Sequence, residues 1–170
     1  MSNVTKSPAN SEKPALLVDV DGVISIFGFT STQRPDGSFL TVDGIPHFLS
    51  STAGGHLLDL ARVFELMWCT GWEEKANEYL PRELGLPGPL PTLELSGHAA
   101  IGGHWKLPAI DATIPADRPL AWIDDAHTDV TRAWARAREG ATLLVDTEPA
   151  VGLAEAHVAQ LLRWADNLRR

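Results

Sequence analysis

Apolar residues in this chain gather in short runs that end abruptly at acidic or small residues. Leu16, Leu17, Val18 and Val20 make one such run, the pattern of a strand buried on both faces of a parallel sheet. It carries Asp19 and Asp21 to its carboxyl end and stops at Gly22. Residues 63–69 (VFELMWC) form a second strand candidate ending at Thr70-Gly71, and residues 119–123 form a third ending at Asp124-Asp125. Weaker strands are expected at 92–95 and 142–145. Helical spacing marks 54–62, with Leu57, Leu58 and Ala61. It returns after Trp72, where Ala76, Leu80 and Leu84 share a face and Pro81 is expected to kink or break the helix. Val130, Ala133, Trp134 and Ala137 predict a further helix that Gly140 should terminate. Val158, Leu161, Leu162, Ala165 and Leu168 give the apolar stripe of a C-terminal helix.

Between the first strand and the first helix, two β-prone segments flank Pro35-Asp36-Gly37, strong turn chemistry. They predict a β-hairpin over 24–49, a flap projecting after strand 1. Residues 85–91 (GLPGPLP) read as a rigid connector, and 96–105, with three glycines and two histidines, as a loop. Strands alternating with helices imply an α/β fold built on a doubly wound parallel sheet.

The length of 170 residues suits one domain with a sizeable core, placed at 15–170. Residues 1–14 are rich in Ser, Asn, Lys and Pro and have no apolar segment of the signal-peptide kind. They read as a flexible tail, and a cytoplasmic protein is expected. No apolar run is long enough to cross a bilayer, so no membrane partner is expected. A net charge of −8 disfavours broad nucleic-acid binding, which needs a basic surface to displace counterions. The single cysteine, Cys69, excludes an intramolecular disulfide or a CxxC metal site and reads as a small buried apolar residue.

Each strong strand thus delivers polar residues to its carboxyl end, the edge where open α/β sheets bind ligands. Asp19 and Asp21 come first, then Thr70, then Asp124 and Asp125, with Lys106 entering from a loop. Carboxylates, a hydroxyl and a lysine in one place describe a phosphoryl-transfer site: oxygens of the phosphoryl group must be neutralised while a nucleophile attacks. A carboxylate can be that nucleophile, and Mg²⁺ binds carboxylates together with substrate phosphate.

These residues give the chain a resemblance to haloacid dehalogenase (HAD) superfamily phosphatases. DVDGV matches the first motif, WCTG the second, Lys106 the third and IDDAHTD the fourth, over roughly residues 15–165. TGWEEKANEYL, GLP, WK and LAWIDD look most like the small HAD domains found alone in actinobacteria or fused in bacterial RNA-repair proteins. The resemblance implies a three-layer HAD-type Rossmannoid fold and a Mg²⁺-dependent phosphomonoester hydrolase working through an aspartyl-phosphate. Asp19 would be nucleophile and metal ligand. Asp21 would bind metal through its backbone carbonyl while its side chain serves as acid and base. Thr70 and the Gly71 amide would hold phosphoryl oxygens, and Lys106 would neutralise nucleophile and phosphate. Asp125 would bind the metal, with Asp124 and Asp129 in support, although the DD form leaves open which of Asp124 and Asp125 touches it first. Beside the motif residues, Trp72 and Trp105 are candidates to line a substrate pocket. The other tryptophans, 68, 122, 134 and 164, read as core.

Lys75 rivals Lys106 but falls on the helix expected after Trp72, one turn past Thr70, where a solvated face is the simpler reading. The six histidines, at 47, 56, 98, 104, 127 and 157, lack metal-ligand spacing. The intervals before and after the second motif leave no room for the cap domain that many superfamily members carry. A capless site implies, in that family, a macromolecular substrate or an oligomer that closes it. The phosphorylated substrate is therefore a small molecule or a macromolecule, with a homo-oligomer as a further possibility. Two other readings stand beside the hydrolase: a nucleic-acid end phosphatase, which the acidic charge disfavours, and a catalytically idle binding module, which the intact motif set disfavours.

Overall fold

The computed structural model describes residues 13–97, 99–100 and 103–170. The predicted tail, up to residue 12, lies outside the described residues, as do His98 and Gly102 of the glycine-rich loop. In chain order the elements are β1 (Ala15–Val18), β2 (Ser25–Ile26), β3 (Gly37–Val42), β4 (Ile45–Ser50), α1 (Ala53–Ala61), β5 (Glu65–Trp68), α2 (Lys75–Leu84), α3 (Leu107–Thr113), β6 (Leu120–Asp124), α4 (Asp129–Ala137), β7 (Thr142–Asp146) and α5 (Glu155–Asn167). No helix among the described residues is long and apolar enough to cross a membrane.

Four strands make a parallel sheet in the order β5-β1-β6-β7. Because side chains alternate across a strand, β1 feeds two cores. Leu16 and Val18 join Leu66, Trp68, Ala121 and Ile123 beneath α1, α2 and α5, while Ala15 and Leu17 join Met67, Leu120 and Trp122 against α3 and α4. The result is an α/β fold with a parallel sheet between two helical layers, as the strand and helix patterns predict.

The flap departs from expectation. Its tight turn is Asp43-Gly44, where both residues hold left-handed φ angles of 50° and 82°. Such a two-residue turn matches the twist of the flanking strands, and Val42 pairs with Ile45 across it. Pro35-Asp36-Gly37 is instead the lead into β3, and Gly37 already pairs with Ser50. The short β2 pairs with β4, so the flap is a three-stranded antiparallel sheet in the order β2-β4-β3.

Other expectations are corrected by tertiary contacts. The strand expected at 92–95 makes one bridge, Thr92 with Trp68, although Leu93 and Leu95 are buried. The prolines of the preceding connector lack the N–H groups a longer ladder needs. Gly140 is not the left-handed stop of α4, which ends at Ala137 with Arg138 extended. Its lack of a side chain serves a close approach instead, since a Cβ there would stand 2.5 Å from the Asp117 carbonyl oxygen. Ala133 and Ala137 are exposed, as is Leu168 beyond α5, whereas Val130 and Trp134 pack on the sheet. The unpredicted α3 begins with Pro108 in its first turn, a favoured place for proline.

Pro81 sits inside α2 without breaking it. A proline there removes one helix bond and crowds the preceding turn, at a cost of about 3 kcal/mol. Burial of Ala76, Leu80 and Leu84 offsets this, and so does Asn77. Its side-chain oxygen accepts from the Trp68 indole (3.0 Å) and the Leu90 amide (2.9 Å), and its nitrogen donates to the Leu90 carbonyl (2.8 Å) and Thr92 hydroxyl (3.0 Å). Asn77→Ala strands the buried Trp68 N–H and the Leu90 amide. The expected loss is about 2–3 kcal/mol, a melting temperature lower by roughly 4–12 °C in calorimetry. A change below about 2 °C would show that α2 is held by its apolar face alone.

Candidate functional site

The parallel register brings the three polar strand ends together. Val18 pairs with Trp68 on one side and Ile123 on the other, so the next residues, Asp19, Cys69 and Asp124, emerge at one edge. The Asp19 amide donates to the Ile123 carbonyl at 3.1 Å and the Cys69 amide to the Val18 carbonyl at 2.9 Å, which fixes this alignment through the last residues. Lys106 arrives from the residue before α3, whose Leu107 and Ile110 are buried against the same sheet.

Lys106 Nζ lies 2.6 Å from Asp124 Oδ2 and 3.0 Å from Asp19 Oδ2, and all three side chains are buried. Asp124 is otherwise satisfied: its Oδ2 accepts from the Trp122 indole at 3.2 Å and its Oδ1 from the Ala126 amide at 3.0 Å. Asp19 Oδ1 accepts from the Val20 amide at 2.8 Å. Burial pushes the Asp19 carboxyl up to about 7, with the Lys106 charge opposing the rise and the Asp124 charge adding to it. Burial alone would lower Lys106, but the two carboxylates outweigh it and hold the ammonium form. Burial also raises the Asp125 carboxyl, and the Asp124 charge adds to this.

Asp125 completes an acidic group. Asp19, Asp124 and Asp125 each offer an oxygen within 4.8 Å of the others. Gly22 makes the fit possible, because a Cβ on it would stand 2.3 Å from Asp125 Oδ2, and its φ of 77° suits glycine. With all three carboxyls ionised, the single ammonium would leave two negative charges at this edge, which a dication would balance. An all-oxygen donor set suits a hard cation such as Mg²⁺. The one sulfur nearby, Cys69, is raised by burial and stays a neutral thiol.

A cleft of about 250 Å³ opens on this group, lined by Asp19, Asp21, Gly71, His104, Trp105, Lys106, Asp124 and Asp125 together with Ala126. A larger hollow of about 440 Å³ lies beside Asp146 and His157 but brings no lysine among its carboxylates. Trp105, half exposed at 49 %, stands at the cleft with Lys106 Nζ 5.4 Å from its ring centre. Thr70 is buried and, unlike Gly71, does not line the cleft; its hydroxyl accepts from the Trp72 amide at 3.2 Å. Asp21 stands apart from the acidic group, its side chain 53 % exposed and bonded to the Trp72 indole. Trp72 itself does not line the cleft. Asp129 is exposed at the start of α4, and Lys75 pairs with Asp43 at the flap tip, away from the cleft.

Sequence reasoning missed three contributors. His47 of β4 approaches Asp21, Thr147 donates from its hydroxyl to the Gly22 carbonyl at 2.8 Å, and the Trp122 indole serves Asp124. Thr147 had a signal, since it follows β7 on the same edge. His47 had none, because only the pairing of β4 with β2 brings it to Asp21 and Ser25.

Lys106→Met keeps an unbranched apolar stem, one atom shorter, removes the ammonium and strands two buried carboxylates. In chelator-containing buffer it should cost about 3 kcal/mol and lower the melting temperature by roughly 6–12 °C. A melting temperature equal to that of the parent would show that the ammonium does not hold this edge together. Compared with protein-family models and with curated proteins, the chain matches none of them.

Proposed function

We propose that the chain is a phosphomonoester hydrolase of the haloacid dehalogenase type, Mg²⁺-dependent and working through a phosphoryl group carried on Asp19. The observation that carries this reading is the Lys106 ammonium shared by Asp19 and Asp124 beside Asp125, at the sheet edge where a cleft opens. Side chains of Asp19, Asp124 and Asp125, with the backbone carbonyl of Asp21, would hold the metal. When bound, Mg²⁺ supplies positive charge to the phosphoryl oxygens and to the nucleophile.

The remaining chemistry belongs to the chain. An Asp19 carboxylate oxygen attacks phosphorus, and the bond from phosphorus to the leaving oxygen breaks. Asp21 gives that oxygen its proton and then, as a carboxylate, takes one from the water that attacks the same phosphorus and releases Asp19. Lys106 favours the ionised form of Asp19 and orients it. The Thr70 hydroxyl accepts from the Trp72 amide, so its own hydrogen is left to donate to a phosphoryl oxygen, next to the Gly71 amide. The environments support this division of labour: the nucleophile is buried against a cation, and the acid is half exposed, where it can exchange protons with water. The substrate is a phosphorylated compound whose leaving group meets Trp105 and the flap.

The wild-type chain should hydrolyse para-nitrophenyl phosphate with Mg²⁺ and lose that activity to a chelator. Asp19→Asn should fall to background, and full activity in that variant would contradict the mechanism. Asp21→Asn should keep metal binding by calorimetry while turnover drops by roughly 10²–10⁴. Metal binding lost in Asp21→Asn but kept in Asp125→Ala would overturn the assignment of ligands.

A further inference from the structure

Asp21 poses a problem of orientation that the sequence does not show. Its carboxyl is half exposed and outside the Lys106 cluster, so rotation about its two side-chain bonds would scatter a proton donor over several directions. Among the described residues one hydrogen bond restrains it, from the Trp72 indole Nε1 to Asp21 Oδ2 at 3.0 Å. The other oxygen, Oδ1, has His47 Nδ1 at 3.7 Å, beyond hydrogen-bond range. His47 Nδ1 lies nearer to Ser25 Oγ, at 3.1 Å.

The indole is in turn held from the flap. The His47 ring packs on Trp72 with centroids 4.5 Å apart and planes inclined by 64°. Asp43 at the flap tip pairs with Lys75, three residues beyond Trp72. Strand β4 therefore sets the tilt of the indole, and the indole sets the carboxyl.

We infer that Trp72 is a positioning residue for proton transfer: its N–H fixes Oδ2 of Asp21 so that Oδ1 faces the leaving oxygen, with β4 acting through His47 to hold the indole. An indole is suited to this because it donates and has no acceptor. It holds the carbonyl oxygen of the protonated acid as well as the carboxylate, and it never competes for the proton. The inference rests on the reading of Asp21 as acid and base, and it removes Trp72 from the substrate pocket where its place beside Thr70 and Gly71 had put it.

The test compares two leaving groups in wild type, Trp72→Phe and Asp21→Asn, at saturating Mg²⁺. Dinitrophenolate departs without a proton, whereas phenolate from phenyl phosphate needs one. Trp72→Phe should lower kcat/KM on phenyl phosphate by about tenfold and leave kcat/KM on dinitrophenyl phosphate near the wild-type value. This ratio covers the steps up to departure of the leaving group, where Asp21 is the acid, and not the later attack of water, where it is the base. A tryptophan analogue with sulfur in place of the indole N–H, introduced at position 72, keeps the bicyclic shape and should reproduce the selective loss. Equal losses on both substrates in Trp72→Phe, or no loss in the sulfur analogue, would overturn the inference and leave Asp21 as the acid. If kcat/KM in Asp21→Asn itself falls equally on both substrates, the assignment of Asp21 as the acid fails, and the inference falls with it.

Discussion

A lysine ammonium buried between two carboxylates is the interaction on which this molecule's carboxyl edge depends. Withdrawing such charges from water costs several kcal/mol each, so the arrangement survives only where partners meet at hydrogen-bond distance and leftover lone pairs are filled. Lys106 reaches Asp124 and Asp19, the Trp122 indole and Ala126 amide complete Asp124, and the Val20 amide completes one oxygen of Asp19. That geometry requires β1 and β6 to be in register to their last residues and α3 to be packed where it can present the lysine. The sheet core and the charged edge therefore specify each other.

Two carboxylates separated by one residue end in opposite surroundings. Asp19 continues the strand direction into the buried cluster, while Gly22, with its left-handed backbone, turns the chain so that Asp21 faces the flap. Thr147 holds that turn from the far edge of the sheet through the Gly22 carbonyl, and Asp125 fills the space a side chain at Gly22 would need. One carboxyl is thereby suited to a cation and a nucleophilic role, the other to exchange with water. The difference arises from environment alone, since the residue type is the same.

Much of this was legible in the amino-acid order because burial on both faces of a parallel strand leaves an unmistakable apolar run, and the polar residues at its end have nowhere to go but the carboxyl edge. Asp19, Gly71, Asp124 and Asp125 converge for that reason, and Trp105 and Lys106 join them from the segment that leads into α3. What escaped depends on contacts between elements distant in sequence. Pro81 is tolerated because Asn77 ties α2 to β5 and the connector. Gly140 serves a neighbouring backbone and not its own helix end. The flap turns at Asp43-Gly44 and not at the expected Pro35-Asp36-Gly37, because Asp-Gly suits a two-residue turn with both φ angles positive. That shift in turn also hid His47, whose position follows from the flap's pairing order.

In the proposed mechanism Asp19 carries the phosphoryl group between two displacements. Each in-line displacement inverts phosphorus, so two in succession restore the starting arrangement and one does not. Hydrolysis of an aryl phosphorothioate made chiral with oxygen isotopes, with the configuration of the released thiophosphate determined, reads this directly. Net retention is the result expected of attack by Asp19 followed by water. Net inversion would mean that water attacks the substrate itself, and the buried carboxylate beside Lys106 would not be a nucleophile.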